Sequence, residues 1–414
     1  MQLPLGEDRI DVELPDCDVT VAEPTGGEPV DVAAAAERAL DRPLGPPIAH
    51  RVDAGDEIAI VVTDVTRATP DDALLDALFG RLDAAGVDRE NVTIVVGLGL
   101  HRPLTDAELA DAYGEYADLA INHDPEGTVE VGTVDSVSIE LHPAVASADL
   151  VLATGMVEPH QYAGFSGGAK TVAIGAGGEP IIRHTHGPEL LGQDGVRLGR
   201  VANNPFREFV DRAGQLVGPD FCVNVTHGPS GILDVVAGSP RPVVRELAEA
   251  AREALSVPID REYDAVVAGI GAPKDANLYQ ASRAATYVAL GDRNPLRDGG
   301  RIVIPAELPE GAGQGTGEQR FYEWLSNAAT PDSLYDAMAK GYEPGAQRAF
   351  VLARVLREHD VYVTNVSDPD ASAIVEECLM RSMESVADAI EPGSDVLVVP
   401  DAIDTLLVSP ERTS

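Results

Sequence analysis

Residues 57–96 read EIAIVVTDVTRATPDDALLDALFGRLDAAGVDRENVTIVV. The stretch opens on a short apolar run, 57–63, and closes on another, 91–96, with a helical pattern over 70–85 between them. Apolar runs this short, bounded by turn residues, mark strands buried on both faces, as in a parallel sheet. The alternation continues. Residues 148–154 (ADLVLAT) predict a third strand, and further strands are expected at 221–226, 263–269, 301–305, 360–364 and 395–400. Helices are expected near 240–255, 279–290, 317–325 and 345–357, and one starts near Thr105, which forms a capping box with Glu108. The pattern specifies an α/β protein of two domains with largely parallel sheets flanked by helices, and places the ligand site in the cleft between them. A boundary is expected where Val257-Pro258 precedes a fresh strand–helix series. Residues 1–257 then form one domain, rejoined by about 391–414, and 258–390 form the second, which closes the cleft.

Net charge is −39 and the pI is about 4.3, yet 44% of residues are hydrophobic. A disordered chain pairs such charge with few apolar residues, so this one is expected to fold. The spread of acidic residues suits a solvated anionic surface at high salt, which reads as a cytoplasmic protein of a salt-loving organism. No basic stripe exists to neutralise phosphates, which excludes nucleic acid as a partner. Cys17, Cys222 and Cys378 are far apart and form no CxxC pair, so neither a disulfide framework nor a thiolate zinc site is expected. Residues 1–8 lack the features of a signal peptide, and no run of about 18 apolar residues offers a membrane span.

Three predicted strands exit into loops that carry reactive groups: Thr63-Asp64-Val65-Thr66-Arg67, Gly97-Leu98-Gly99-Leu100-His101-Arg102-Pro103 and Thr154-Gly155-Met156-Val157-Glu158-Pro159-His160. In open parallel sheets ligands bind beyond the carboxyl ends of the strands. If the three strands are neighbours, Asp64, Arg67, His101 and His160 converge on one pocket. Two histidines facing one centre suit a reaction that needs an acid on one side and a base on the other. Each histidine alone reads as a hydrogen-bonded core or loop residue; their matched placement favours chemistry.

After His160 comes Gln161-Tyr162-Ala163-Gly164-Phe165-Ser166-Gly167-Gly168-Ala169-Lys170. Gly164, Gly167 and Gly168, with Ser166 among them, let backbone amides approach an anion. The segment is not a Walker A loop, since Gly-Lys-Ser/Thr is missing, and a tight glycine turn ending in a surface lysine is the alternative. Lysine is scarce here: of 30 basic residues only Lys170, Lys274 and Lys340 are lysine. Arginine stays protonated, whereas a lysine amine can be neutralised and used as a nucleophile, which makes Lys170 a candidate for covalent chemistry. Further on, His184 and His186 stand two apart and share a face if the chain is extended there. No cysteine or close acidic triad completes a zinc site, while a single imidazole suits Ni, Cu or Zn carried mainly by a cofactor.

Glu158 to Lys170, followed sixteen residues later by His186, resembles the signature of the nickel-dependent lactate racemases and related 2-hydroxyacid racemases. Asp64-Val65-Thr66-Arg67, Gly99-Leu100-His101-Arg102-Pro103 and Asn277-Leu278-Tyr279-Gln280-Ala281-Ser282-Arg283 support the resemblance in the same order. It implies an isomerase whose nickel-pincer nucleotide is tethered to Lys170, with Asp64, Gly164, Ser166, Gly167 and Gly168 around the cofactor. Ni(II) would take its protein ligand from His186, with His184 orienting its neighbour. His101 and His160 would be the acid/base pair, and Arg67, Tyr279, Gln280 and Arg283 would bind a small 2-hydroxy acid. In that scheme the α-hydrogen leaves as hydride, giving a planar 2-keto acid that accepts hydride on its other face. Enzymes that build the cofactor are implied as cellular partners. Two departures stand out: Arg283 replaces a lysine of the family's lactate enzyme, and residues 344–350 lack its pocket tryptophan. Three other readings use the same loops: a pyridoxal-phosphate enzyme with Lys170 as Schiff base, a metal hydrolase on His184 and His186, and a non-catalytic nucleotide- or organic-acid-binding protein.

Overall fold

The computed structural model describes residues 1–65 and 67–410; Thr66 and the last four residues, part of the expected 391–414 return, lie outside the described residues. The chain divides into two compact units. One comprises residues 26–185 and 200–254, the other 1–25, 186–199 and everything from Leu255 on.

In the first unit a six-stranded sheet runs in the order Gly231–Gly238, Phe221–Gly228, Leu150–Met156, Ile58–Thr63, Val92–Gly97, Ala120–Asn122. Every neighbour pair is parallel except the first, where Gly231–Gly238 folds back antiparallel on Phe221–Gly228. Ile58 to Val62 are all buried, which is why that strand reads as a continuous apolar run rather than an alternating one. Helix Asp71–Ala85 buries Leu74, Leu75, Leu78 and Leu82 and ends at Gly86, whose φ of 82° is the left-handed value that favours glycine. Helix Asp106–Tyr113 starts at the expected capping box of Thr105 and Glu108.

Behind the strand ends lies a buried acid. Asp71 opens its helix and accepts a hydrogen bond from the Thr154 hydroxyl on the neighbouring strand, with the Thr63 hydroxyl 3.4 Å from its other oxygen. Burial pushes its carboxyl up to about 7, against the lowering effect of the two hydroxyls. Because the folded value lies above the unfolded one, the stability this group contributes is fully present below about 4 and lost as pH rises through about 7. Asp71→Asn keeps an acceptor for Thr154 and cannot ionise. Its melting temperature should exceed that of the wild type well above pH 7 and equal it well below; thermal denaturation across pH checks the sign.

The second unit holds a six-stranded, all-parallel sheet in the order Arg381–Met383, Asp360–Thr364, Leu296–Pro305, Tyr263–Ala268, Asp395–Val399, Asp18–Val21. Here the domain reading is corrected. Asp395–Val399 does not rejoin the first unit but pairs with Tyr263–Ala268, and the N-terminal residues supply the edge strand beside it. Asp18–Val21 is too short and too polar to announce itself, and only its long-range partner makes it a strand. The expected helix over 279–290 is two helices, Leu278–Ala281 and Arg283–Ala289, broken at Ser282, whose hydroxyl turns back to the Tyr279 carbonyl. Among the described residues no helix is long and apolar enough to cross a membrane.

Candidate active site

The strands Leu150–Met156, Ile58–Thr63 and Val92–Gly97 are neighbours in the sheet and parallel, so their C-terminal loops emerge side by side. Asp64, just past one strand, lies 2.6 Å from Nδ1 of His101, which follows the next. Asp64 is buried and His101 exposed. A buried carboxylate against Nδ1 assigns the proton to that nitrogen and leaves the lone pair on Nε2. On the other side Arg67 forms an ion pair with Glu158, which also lies 3.7 Å from His227. His160 sits in a two-residue ribbon, Pro159–His160 against Gly164–Phe165. Its Nδ1 accepts from the amides of Tyr162 and Ala163, each at 3.2 Å, which assigns the His160 proton to Nε2. The two histidines are thus held as opposite tautomers, one by a carboxylate and one by the backbone.

The glycine segment is fixed largely from within. The Ser166 amide donates to the Glu158 carbonyl, its hydroxyl to the Met156 carbonyl, and the Gly168 amide to Asn224 Oδ1. Those amides serve the protein's own acceptors instead of standing open as an anion cradle. Gly164, at φ 76°, passes so close to Arg200 that a Cβ would lie 2.0 Å from its carbonyl oxygen, and only glycine fits. The segment delivers half-buried Lys170 into helix Ala169–Ala173. Burial, then the nearby Arg67 and Arg207, push the Lys170 amine down to about 7, while Glu158 and Asp64 oppose them. The lowered value favours the uncharged, nucleophilic amine relative to an ordinary lysine.

His184 ends helix Glu179–Thr185, so the extended HxH reading fails: its ring packs 4.4 Å from Phe209, centroid to centroid, in the first unit. His186 begins the second unit's segment 186–199. Among the described residues no group of three or more His, Cys, Asp or Glu is arranged to hold a metal ion. Tyr279, Gln280 and Arg283 also belong to the second unit. Asn277 caps their short helix through the Gln280 amide, and Arg283 donates to the Tyr287 hydroxyl. Arg348, from the segment that lacks a tryptophan, stacks 3.7 Å over the Tyr279 ring and donates to the Tyr279 carbonyl.

The family model described as the lactate racemase N-terminal domain matches residues 5–199, and that of the lactate racemase C-terminal domain matches 260–408. The chain belongs to the lactate racemase family. It is an enzyme of the isomerase class, a racemase. The lactate racemase of Thermoanaerobacterium thermosaccharolyticum is 27% identical over 433 residues, covering 98% of this chain and 99% of that one. The lactate racemase of Lactiplantibacillus plantarum is 28% identical over 397 residues, 90% of each. The solved lactate racemase apoprotein from the Thermoanaerobacterium species superposes with a TM-score of 0.85 at 25% identity, over 98% of this chain and 99% of the other. A Thermotoga maritima protein shares the fold at a TM-score of 0.67 and 17% identity, over 91% of this chain and 98% of that one.

Around the candidate site of this lactate racemase relative stand side chains that the sequence reading missed. Buried Asn204 caps helix Pro205–Val217 and donates to the Tyr162 and Arg200 carbonyls, and Asn224 receives Gly168. Arg207 donates to the carbonyls of the glycine segment. An Asn-Pro pair ahead of a helix signals a cap in sequence; nothing local signals which loop a buried Asn or Arg will hold.

Proposed function

We propose that the chain racemises a small 2-hydroxy acid, lactate or a relative, using a nickel-pincer nucleotide tethered at Lys170. The observation that carries this reading is the Lys170 amine, pushed down to about 7 beside the loops that hold Asp64, His101 and His160. A partly neutral amine fits a covalent tether. A single imidazole, that of His186, suits nickel whose other ligands arrive with the cofactor. When bound, the nucleotide supplies a hydride acceptor and donor.

The protein's own part is proton handling and orientation. His101, with Asp64 on Nδ1, takes the substrate hydroxyl proton at Nε2, and Asp64 stabilises the imidazolium that forms. His160, its Nδ1 occupied by two backbone amides, presents Nε2–H as a hydrogen-bond donor to the substrate oxygen, and the proton held by the His101 imidazolium returns to the hydroxyl that forms when hydride adds to the opposite face. A His160 that first takes up a second proton from solvent is the acid for the other face, which completes the acid/base pair. Arg67, held by Glu158, offers a guanidinium for the substrate carboxylate, and Tyr279, Gln280 and Arg283 are the further substrate-binding candidates. Intact mass, peptide mapping and metal analysis on protein from its native host test the proposal. The expected result is a cofactor-sized adduct on the Lys170 peptide, bound nickel, and interconversion of D- and L-lactate or a close analogue. Unmodified, metal-free protein with full activity overturns it, as does a borohydride-sensitive chromophore without nickel.

A further inference from the structure

Arg207 is among the largest fully buried side chains of the described residues, and both of its terminal nitrogens donate to the loop that presents Lys170. From helix Pro205–Val217 its guanidinium donates to three consecutive carbonyls, those of Phe165, Ser166 and Gly167, the last two at 3.3 Å each. The helix packs closely on the one bearing Lys170: a Cβ on Gly214 would lie 2.4 Å from that of Ala169. The counter-ion of Arg207, Asp211, is 3.6 Å away and is shared with Arg241, whose Nε lies 3.2 Å from the other carboxylate oxygen. In a chain with 69 acidic residues, Arg207 thus shares its carboxylate partner with a second arginine.

We propose that Arg207 is a positioning residue for Lys170: from the helix packed on that of Lys170, its fork fixes the 165–167 carbonyls and its buried guanidinium contributes to the charge that faces the amine where an electrophilic cofactor attaches. The proposal rests on the reading of Lys170 as the anchor. The charged groups that face the amine are Arg67 and Arg207 on one side of the balance and Glu158 and Asp64 on the other. Removing Arg207 leaves two anions against one cation and favours the ammonium form. Lysine at 207 keeps the charge but has no planar fork to span three carbonyls.

The chain has three lysines, so competitive labelling with trace acetic anhydride from neutral to alkaline pH reads each amine separately on the cofactor-free protein. Lys274 and Lys340 act as internal references. In wild type, Lys170 should label with a midpoint near neutrality, far below Lys274, which, despite burial, its carboxylate partners Asp404 and Asp401 hold above the usual lysine range. Arg207→Gln should raise the Lys170 midpoint by about one pH unit. Arg207→Lys should leave it low, and Asp211→Asn, which strips the counter-ion, should lower it further. The opposite signs separate charge from damage to the fold, and Asp211→Asn carries the test if Arg207→Gln does not fold. A low wild-type midpoint that neither Arg207→Gln nor Asp211→Asn moves overturns the role of Arg207 and leaves the anchor reading standing. A wild-type Lys170 whose midpoint lies as high as that of Lys274 overturns the anchor reading itself.

Discussion

Lys170→Met should fold, carry no covalent adduct and racemise its substrate at no more than the rate of buffer. Methionine matches the length and bulk of the lysine stem without an amine, so the expected loss is that of the attachment chemistry alone. Peptide mass mapping of protein made with the cofactor-building enzymes reads the adduct, and chiral chromatography reads the turnover. Retained adduct, or activity within about ten-fold of wild type, would remove Lys170 from the mechanism. Stability supplies an independent sign. The folded Lys170 amine lies near 7, below its unfolded value of about 10.5, so its contribution is fully present above 10.5 and lost as pH falls through 7. The melting temperature of Lys170→Met should therefore exceed that of wild type most clearly near and below neutral pH, and the gap should close in alkali.

Asp64→Asn should lower kcat about 10³- to 10⁴-fold while changing KM little, the size of effect seen when a carboxylate that fixes a catalytic histidine becomes an amide. The reason is local. An amide nitrogen turned toward Nδ1 of His101 moves the imidazole proton to Nε2, where a base is needed. His101→Gln should cost about 10²- to 10⁴-fold, the usual worth of a general base. If the two losses are of similar size and the double variant is no worse than either, Asp64 acts through His101. A change in KM with kcat intact would place Asp64 in substrate binding instead. Steady-state kinetics in both directions separates these outcomes.

Much of this was legible because a buried parallel strand leaves a mark that no neighbour can erase. Residues 57–63, 91–96 and 360–364 each fell within a residue or so of the strand formed, and Thr105 with Glu108 gave the start of its helix. Strand exits placed Asp64, Arg67, His101 and His160 on adjacent loops, since chemistry follows the carboxyl edge of such sheets. What stayed hidden depends on contacts distant in sequence. The HxH spacing suggested a shared face, but Ile181, Ile182 and Thr185 bury a helical stripe that puts His184 against Phe209. Likewise Asp395–Val399 has the same apolar pattern whichever sheet receives it.

The route of the backbone has its own consequence. The polypeptide passes between the two units four times, after residues 25, 185, 199 and 254. A ribosome therefore releases the edge strand Asp18–Val21 some 370 residues before its partner Asp395–Val399 exists. The unit spanning 26–254 can mature while the leading segment waits, and a fragment begun at residue 255 would emerge with the amides of Asp395–Val399 open to strangers, the condition under which sheets aggregate. In this fold the sheet of the second unit is complete only when the strands Asp18–Val21 and Asp395–Val399, from opposite ends of the chain, meet.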